Sequence, residues 1–96
     1  MLKVIARSRI KPGCKDEYMS KVRELVERSR AEEGCISYTL NQSQSDPNLV
    51  SFFEEWKDQA AFDFHKQTEH FTSILPELSK LREDGPPAEI FTEISF

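Results

Sequence analysis

The amino-acid sequence predicts an α+β domain whose elements follow one another in the order β-α-β-β-α-β. Four stretches show the period-two patterning of strands, and two stretches between them space their apolar residues along one face of a helix. This order is that of the ferredoxin-like arrangement, an antiparallel sheet of four strands with its helices on one side. The 96 residues are expected to form one domain, residues 1–96.

The first strand and the first helix have clear patterns. In residues 2–10, alternate side chains share one face: Leu2, Val4, Ala6, Ser8 and Ile10. Pro12 lacks a ladder donor and Gly13 permits a turn, so the strand is expected to end before them. Residues 16–32 then carry a helical stripe of Tyr18, Val22, Leu25 and Ser29. Gly34 stands where the C-terminal cap of this helix is expected.

A hairpin is predicted next, because residues 36–41 and 49–57 alternate on either side of a polar turn. In its second strand, one face carries Val50, Phe52, Glu54 and Trp56, and the other carries Leu49, Ser51, Phe53 and Glu55. Large apolar residues on both faces indicate that both faces are covered. The chain has too few helices to cover both, so a homodimer with opposed sheet faces is expected.

A helical region with two stripes and a last strand complete the order. Asp58 is a suitable N-cap for a helix that carries Phe62 and His65. A second helical stripe follows in residues 69–82, and Pro76 is expected to kink it or to start a new helix there. Residues 88–96 resume alternation and predict the last strand.

Composition excludes several classes of function. A net charge of −4 and a pI near 5.2 argue against nucleic-acid binding, which needs a clustered basic face. No signal peptide is recognised and no apolar run is long enough to span a bilayer, so a cytoplasmic protein without membrane contact is expected. Cys14 and Cys35 are then expected to be free thiols, and neither has the surroundings of a nucleophile.

Metal and cofactor sites are not predicted. His65 and His70 are five residues apart, which in one helix points them to different faces, and His70 is expected to cap the turn or to lie at its surface. No cysteine or carboxylate cluster is visible to complete a ligand set. The three glycines form no phosphate or dinucleotide motif, so no flavin, nicotinamide or other cofactor is expected.

The segment from Glu33 to Phe71 carries a family resemblance. Gly34-Cys35 opens a strand, Tyr38 follows, Glu54-x-Trp56 closes the next strand, and the run H-x-x-T-x-H-F begins at His65. This order resembles the antibiotic biosynthesis monooxygenase family of small, dimeric α+β-barrel proteins. The resemblance implies cofactor-independent oxidation of a small aromatic or quinol-type substrate with O2. Related haem-degrading enzymes carry asparagine where this chain has Ser8, which disfavours haem cleavage.

The resemblance also suggests a site. We expect a pocket between the helix side of the sheet and residues 58–71, with His65 as general base and Trp56 and Glu54 beside it. The residues expected to bind substrate are Ser8, Val4, Tyr38, Phe52 and Phe62. A buried structural role for His65, Trp56 and Tyr38 stays open. Two other functions stay open as well: an isomerase of a small phosphorylated or oxygenated carbon chain, and a dimeric binding module without turnover.

Overall fold

The computed structural model describes residues 1–96, and its four strands form one antiparallel sheet in the order β2-β3-β1-β4. The elements are β1 (Leu2–Arg9), α1 (Lys15–Arg30), β2 (Cys35–Gln42), β3 (Leu49–Trp56), α2 (Gln59–Gln67), α3 (Glu69–Lys80) and β4 (Glu89–Thr92). The predicted α+β, ferredoxin-like fold is therefore confirmed. No helix is both long and apolar enough to cross a lipid bilayer.

The helical region after β3 restarts at Thr68. This residue has extended backbone angles (φ −68°, ψ 154°), so it ends α2 and begins α3. Its hydroxyl donates to the His65 carbonyl at 2.7 Å and accepts from the Phe71 backbone N–H at 3.3 Å, which satisfies groups of both helix ends. The predicted restart at Pro76 is wrong, because Pro76 lies inside α3.

Gly34 has a different role from the predicted one. Helix α1 ends at Arg30 and its cap is Ala31, so the predicted cap at Gly34 is wrong. A Cβ atom on Gly34 would lie 2.4 Å from the Cβ of Ala61 in α2, a distance that real Cβ atoms do not adopt. The missing side chain lets the first turn of α2 approach the segment before β2. Asp58 caps that turn as predicted, accepting from the Ala61 N–H at 2.8 Å.

The core lies between the helices and one face of the sheet. The register places Val4, Glu54 and Tyr38 in one row across β1, β3 and β2, and Ala6, Phe52 and Leu40 in the next row. These rows face the helices, as the alternation predicted. Strand β4 pairs with β1 only over Glu89–Thr92, which is shorter than the predicted residues 88–96.

The opposite face of the sheet has no helix above it. Phe53 on β3 is 49% exposed and Phe91 on β4 is 43% exposed, and both border an open depression of about 460 Å³. The apolar residues that the sequence places on this face are therefore uncovered in the single chain.

Candidate functional site

A pocket of about 240 Å³ lies between the helix-facing rows of the sheet and helices α2 and α3. Glu54 is its one carboxylate, and we call it the Glu54 pocket. The sheet contributes Val4, Ala6, Ser8, Tyr38, Phe52 and Glu54; the helices contribute Phe62, Lys66, Phe71 and Leu75; and Arg82, Pro86 and Pro87 lie among its remaining lining residues. All five residues expected to bind substrate line this pocket.

Glu54 is a buried carboxyl group with a single hydrogen-bond donor. Its Oε1 accepts from the indole Nε1–H of Trp56 at 3.0 Å, and the residue is 7% exposed. Burial raises the pKa of Glu54 to about 7, although the Trp56 hydrogen bond opposes this shift and the charge of Glu32 adds to it. A carboxyl group with this pKa exchanges protons readily near neutral pH.

Tyr38 lies beside Glu54 in the same row of the sheet. Burial, followed by the nearby Glu54 charge, raises the pKa of the Tyr38 phenol above its ordinary value. The phenol therefore stays protonated at neutral pH and can act as a hydrogen-bond donor. Its ring centroid lies 5.5 Å from that of Phe52, so the two aromatic side chains form one wall of the pocket.

Trp56 and His65 lie on the same side of the sheet, with ring centroids 4.4 Å apart. They do not line the Glu54 pocket, however, and their exposed fractions are only 0% and 1%. The predicted pocket lining is wrong for these two residues. Alternation along a strand shows which face a side chain occupies, but not how deeply the helices bury it.

Behind Trp56, two histidines share one carboxylate oxygen. Nδ1 of His65 and Nε2 of His70 each lie 2.7 Å from Oε2 of Glu32. Burial lowers the pKa of His65, and the hydrogen bond with Glu32 opposes that shift, so the ring is kept largely neutral near pH 7. Sequence reasoning missed Glu32, which follows the end of α1 and lies 33 and 38 residues from its two partners.

His70 also corrects two expectations. It is 7% exposed and not at the surface. In a continuous helix, a spacing of five residues separates side chains by about 140° around the axis. The break at Thr68 removes that relation, and ligand-type atoms of Glu32, His65 and His70 lie within 4.8 Å of one another. The helix-face argument against a ligand cluster is therefore wrong.

Both cysteines are free, as expected. Burial, followed by the charges of Glu32 and Glu54, raises the pKa of Cys35 to about 11. The thiol is therefore protonated at neutral pH, and the thiolate is the reactive form.

The fold and the pocket together define a small α+β protein that encloses one acidic group among aromatic side chains. The sequence model of the antibiotic biosynthesis monooxygenase family matches residues 1–76. The chain belongs to this family, which confirms the resemblance seen in the segment from Glu33 to Phe71.

Individual relatives agree with this assignment. The chain is 35% identical over 95 residues to "Putative monooxygenase YcnE" of Bacillus subtilis, with 99% of each protein covered. It is 36% identical over 87 residues to an uncharacterised Synechocystis protein, and the match covers 91% of this chain but 58% of that protein. The crystal structure of an antibiotic biosynthesis monooxygenase is similar with a TM-score of 0.94 and 40% identity, covering 99% of this chain and 100% of that one.

Proposed function

We propose that this protein is a cofactor-independent monooxygenase that oxidises a small, electron-rich aromatic or quinol-type substrate with O2 in the Glu54 pocket. One observation carries the proposal: a buried carboxyl group with a pKa near 7 lines a largely apolar pocket. Family membership supports the reaction class, since relatives carry monooxygenase names. The pocket volume of about 240 Å³ suits a small substrate.

In the proposed reaction, a base and not a cofactor activates the substrate toward O2. Removal of a proton from a phenol, or from a methylene group between aromatic rings, gives an electron-rich anion that can pass an electron to O2. Recombination of the two radicals forms a peroxide. The peroxide takes up a proton and loses water, which converts the carbon that bears it, a ring C–H carbon of the phenol or the methylene carbon, to a carbonyl, so that one oxygen atom enters the product and the other leaves as water. The protein supplies the base, a dry site and a donor for the developing oxyanion.

We assign these roles to residues that reach the pocket. Glu54 is the proposed base and Tyr38 the proposed donor, since both side chains line the pocket. His65 was the expected base, but it is buried behind the lining and already paired with Glu32. In this proposal His65 supports Trp56 from behind, and Trp56 orients the Glu54 carboxylate through its indole N–H.

A second candidate function rests on a separate observation. Lys66 and Arg82 also line the Glu54 pocket, and their positive charges favour an anionic substrate. An isomerase of a small phosphorylated or oxygenated carbon chain would use these cations to bind its substrate and Glu54 to move a proton. Such an enzyme would convert its substrate without consuming O2. A binding module would hold such a molecule and convert nothing.

We also propose that two copies of the chain pair through the open sheet face. Phe53 and Phe91 are partly exposed there beside Ile5, which leaves an apolar surface for a second copy to cover. A stable interface of this kind buries about 2,000 Å² or more. Sedimentation at micromolar concentration should give a dimer; a monomer would contradict this part of the proposal.

Oxygen uptake with a panel of quinols and anthrones tests the reaction directly. The protein is first stripped of metal, and Glu54→Gln is compared with the wild type. Turnover should fall by about 10²- to 10⁴-fold, as expected for loss of a general base. Glu27→Gln is the matched control, because this carboxylate is exposed on α1 and borders neither the Glu54 pocket nor the open depression. Unchanged uptake in Glu54→Gln, or a requirement for added flavin, would rule out the mechanism.

A further inference from the structure

The cluster of Glu32, His65 and His70 lies outside the Glu54 pocket, and the proposed reaction does not use it as a base. We propose that these three residues form a buried binding site for a divalent transition-metal ion, with Zn²⁺ as its simplest representative. The three side chains come from separate segments: the turn after α1, helix α2 and the first turn of α3. One nitrogen or oxygen atom from each lies within 4.8 Å of the others.

The donor set matches the chemistry of such ions. Two imidazole nitrogens and one carboxylate oxygen form the protein ligands of several catalytic zinc sites and of non-haem iron sites. Ligand bonds of about 2.1 Å in a tetrahedral site would place the three donor atoms about 3.4 Å apart. The present Glu32–His65 and Glu32–His70 distances are 2.7 Å, so small side-chain movements would open the site. Each neutral ring would bind the ion through the nitrogen that faces Glu32, which is Nδ1 in His65 and Nε2 in His70. The other nitrogen of each ring would carry the proton.

A second observation points to a ligand at the same place. Oε1 of Glu32 is buried and has no hydrogen-bond partner, although buried polar atoms in folded proteins are nearly always paired. Both histidine rings contact its other oxygen, Oε2, and neither is hydrogen-bonded to Oε1. A cation bound by both carboxylate oxygens and by the two rings would give Oε1 a partner. Oε1 would then be the fourth ligand atom of the ion.

The surface offers a route of access to Glu32. This residue borders a hollow that is also lined by Gly34, Lys57 and Ala61, on the side of the loop that precedes β2. The hollow shares no lining residue with the Glu54 pocket. A bound ion would join the loop after α1 to both helices around the Thr68 break, and it would stabilise the folded chain by mass action.

Zinc titration of the whole, chelator-stripped protein tests this site without reference to turnover. Calorimetry should show one Zn²⁺ per chain, and the melting temperature should rise with the zinc concentration. Glu32→Gln and His70→Asn should each weaken binding by about 100-fold or more, since losing even an outer partner of a ligand costs about 10- to 100-fold. Glu33→Gln, an exposed neighbour, and a Cys14→Ser, Cys35→Ser double variant serve as matched controls and should bind as the wild type does.

A measurement on the wild type covers the case in which the variants do not fold. The chain has two histidines, and both belong to the cluster. In ¹⁵N-histidine NMR spectra, stoichiometric Zn²⁺ should shift the Nδ1 resonance of His65 and the Nε2 resonance of His70. Unchanged ring resonances, or zinc binding that survives both ligand variants, would overturn the metal site. The cluster would then be a hydrogen-bonded network that only holds the helices together.

Discussion

Glu54 and Glu32 are two buried carboxylates in the same small core, and their surroundings differ in one decisive way. Glu54 has a single neutral donor, Trp56, and faces a pocket. Glu32 has two imidazole rings on one oxygen and no contact with that pocket. Burial is similar, with 7% of Glu54 and 5% of the Glu32 side chain exposed.

The comparison shows that hydrogen-bond partners, and not burial alone, decide what a buried acid does. A sparsely partnered carboxylate costs free energy when charged, so its proton is easily gained and lost near neutral pH. A carboxylate that ties two side chains together instead fixes structure, because its removal leaves other buried groups unpaired. Glu54 is therefore suited to proton exchange, and Glu32 is suited to joining His65 and His70, either by hydrogen bonds or through a bound ion.

The largest expected effect on stability is at Glu32. Glu32→Ala leaves two buried ring N–H groups without their acceptor, so we expect the free energy of unfolding to fall by about 3–5 kcal/mol. Urea denaturation in the presence of a chelator measures this loss. Glu33→Ala, an exposed neighbour, should change the stability little. If Glu32→Ala loses as little stability as Glu33→Ala, Glu32 does not hold the two histidine rings as described.

Substitution of Glu54 should have the opposite effect on stability at high pH. Its pKa is raised in the folded state to about 7, so its contribution to stability is present below the ordinary value of 4.5 and is lost as the pH rises through about 7. Glu54→Gln, which cannot ionise, should escape this loss. At pH 8 the variant should gain up to about 3 kcal/mol relative to its difference from the wild type at pH 4. Thermal or urea unfolding at both pH values measures the gain, and equal differences at the two values would contradict the raised pKa.

A smaller loss of stability is expected from substitution of Gly34, which lies in the same loop as Glu32. Gly34→Ala places a methyl group 2.4 Å from the Cβ of Ala61, so α2 must shift, at a cost of about 1–3 kcal/mol. Gly85→Ala is the matched control, because no atom lies near its added Cβ. Urea denaturation of the two variants should separate them clearly; equal stability would contradict the close approach of α2.

The smallest expected effect concerns the hydrogen bond between Trp56 and Glu54. Trp56→Phe keeps an aromatic ring but removes the donor that holds the pKa of Glu54 down. The rising limb of the pH profile of turnover should move to higher pH by about one unit or less, which corresponds to one hydrogen bond. A Phe52→Leu variant, which leaves this bond intact, should not move it. A profile that stays in place in Trp56→Phe would argue against Glu54 as the titrating group.

Local patterns were sufficient to predict most of the fold but only part of the site. Alternation placed Val4, Phe52 and Glu54 on the helix-facing side correctly, and the stripe of α1 was correct because helical spacing is a local property. Glu32 was missed because no periodicity marks a polar residue that pairs with partners 33 and 38 positions away. His70 was misplaced because Thr68, a polar residue with no obvious break signal, interrupts the helix between the two histidines.

The chain has one tryptophan, Trp56, and its indole lies between the regions of Glu54 and Glu32. Its N–H is bonded to Glu54, while its ring lies against His65, the partner of Glu32. Indole fluorescence responds to nearby charge and to hydrogen bonding at nitrogen. The protein therefore carries its own optical reporter, whose emission should change with proton exchange at Glu54 and with any ion or rearrangement at the paired histidines.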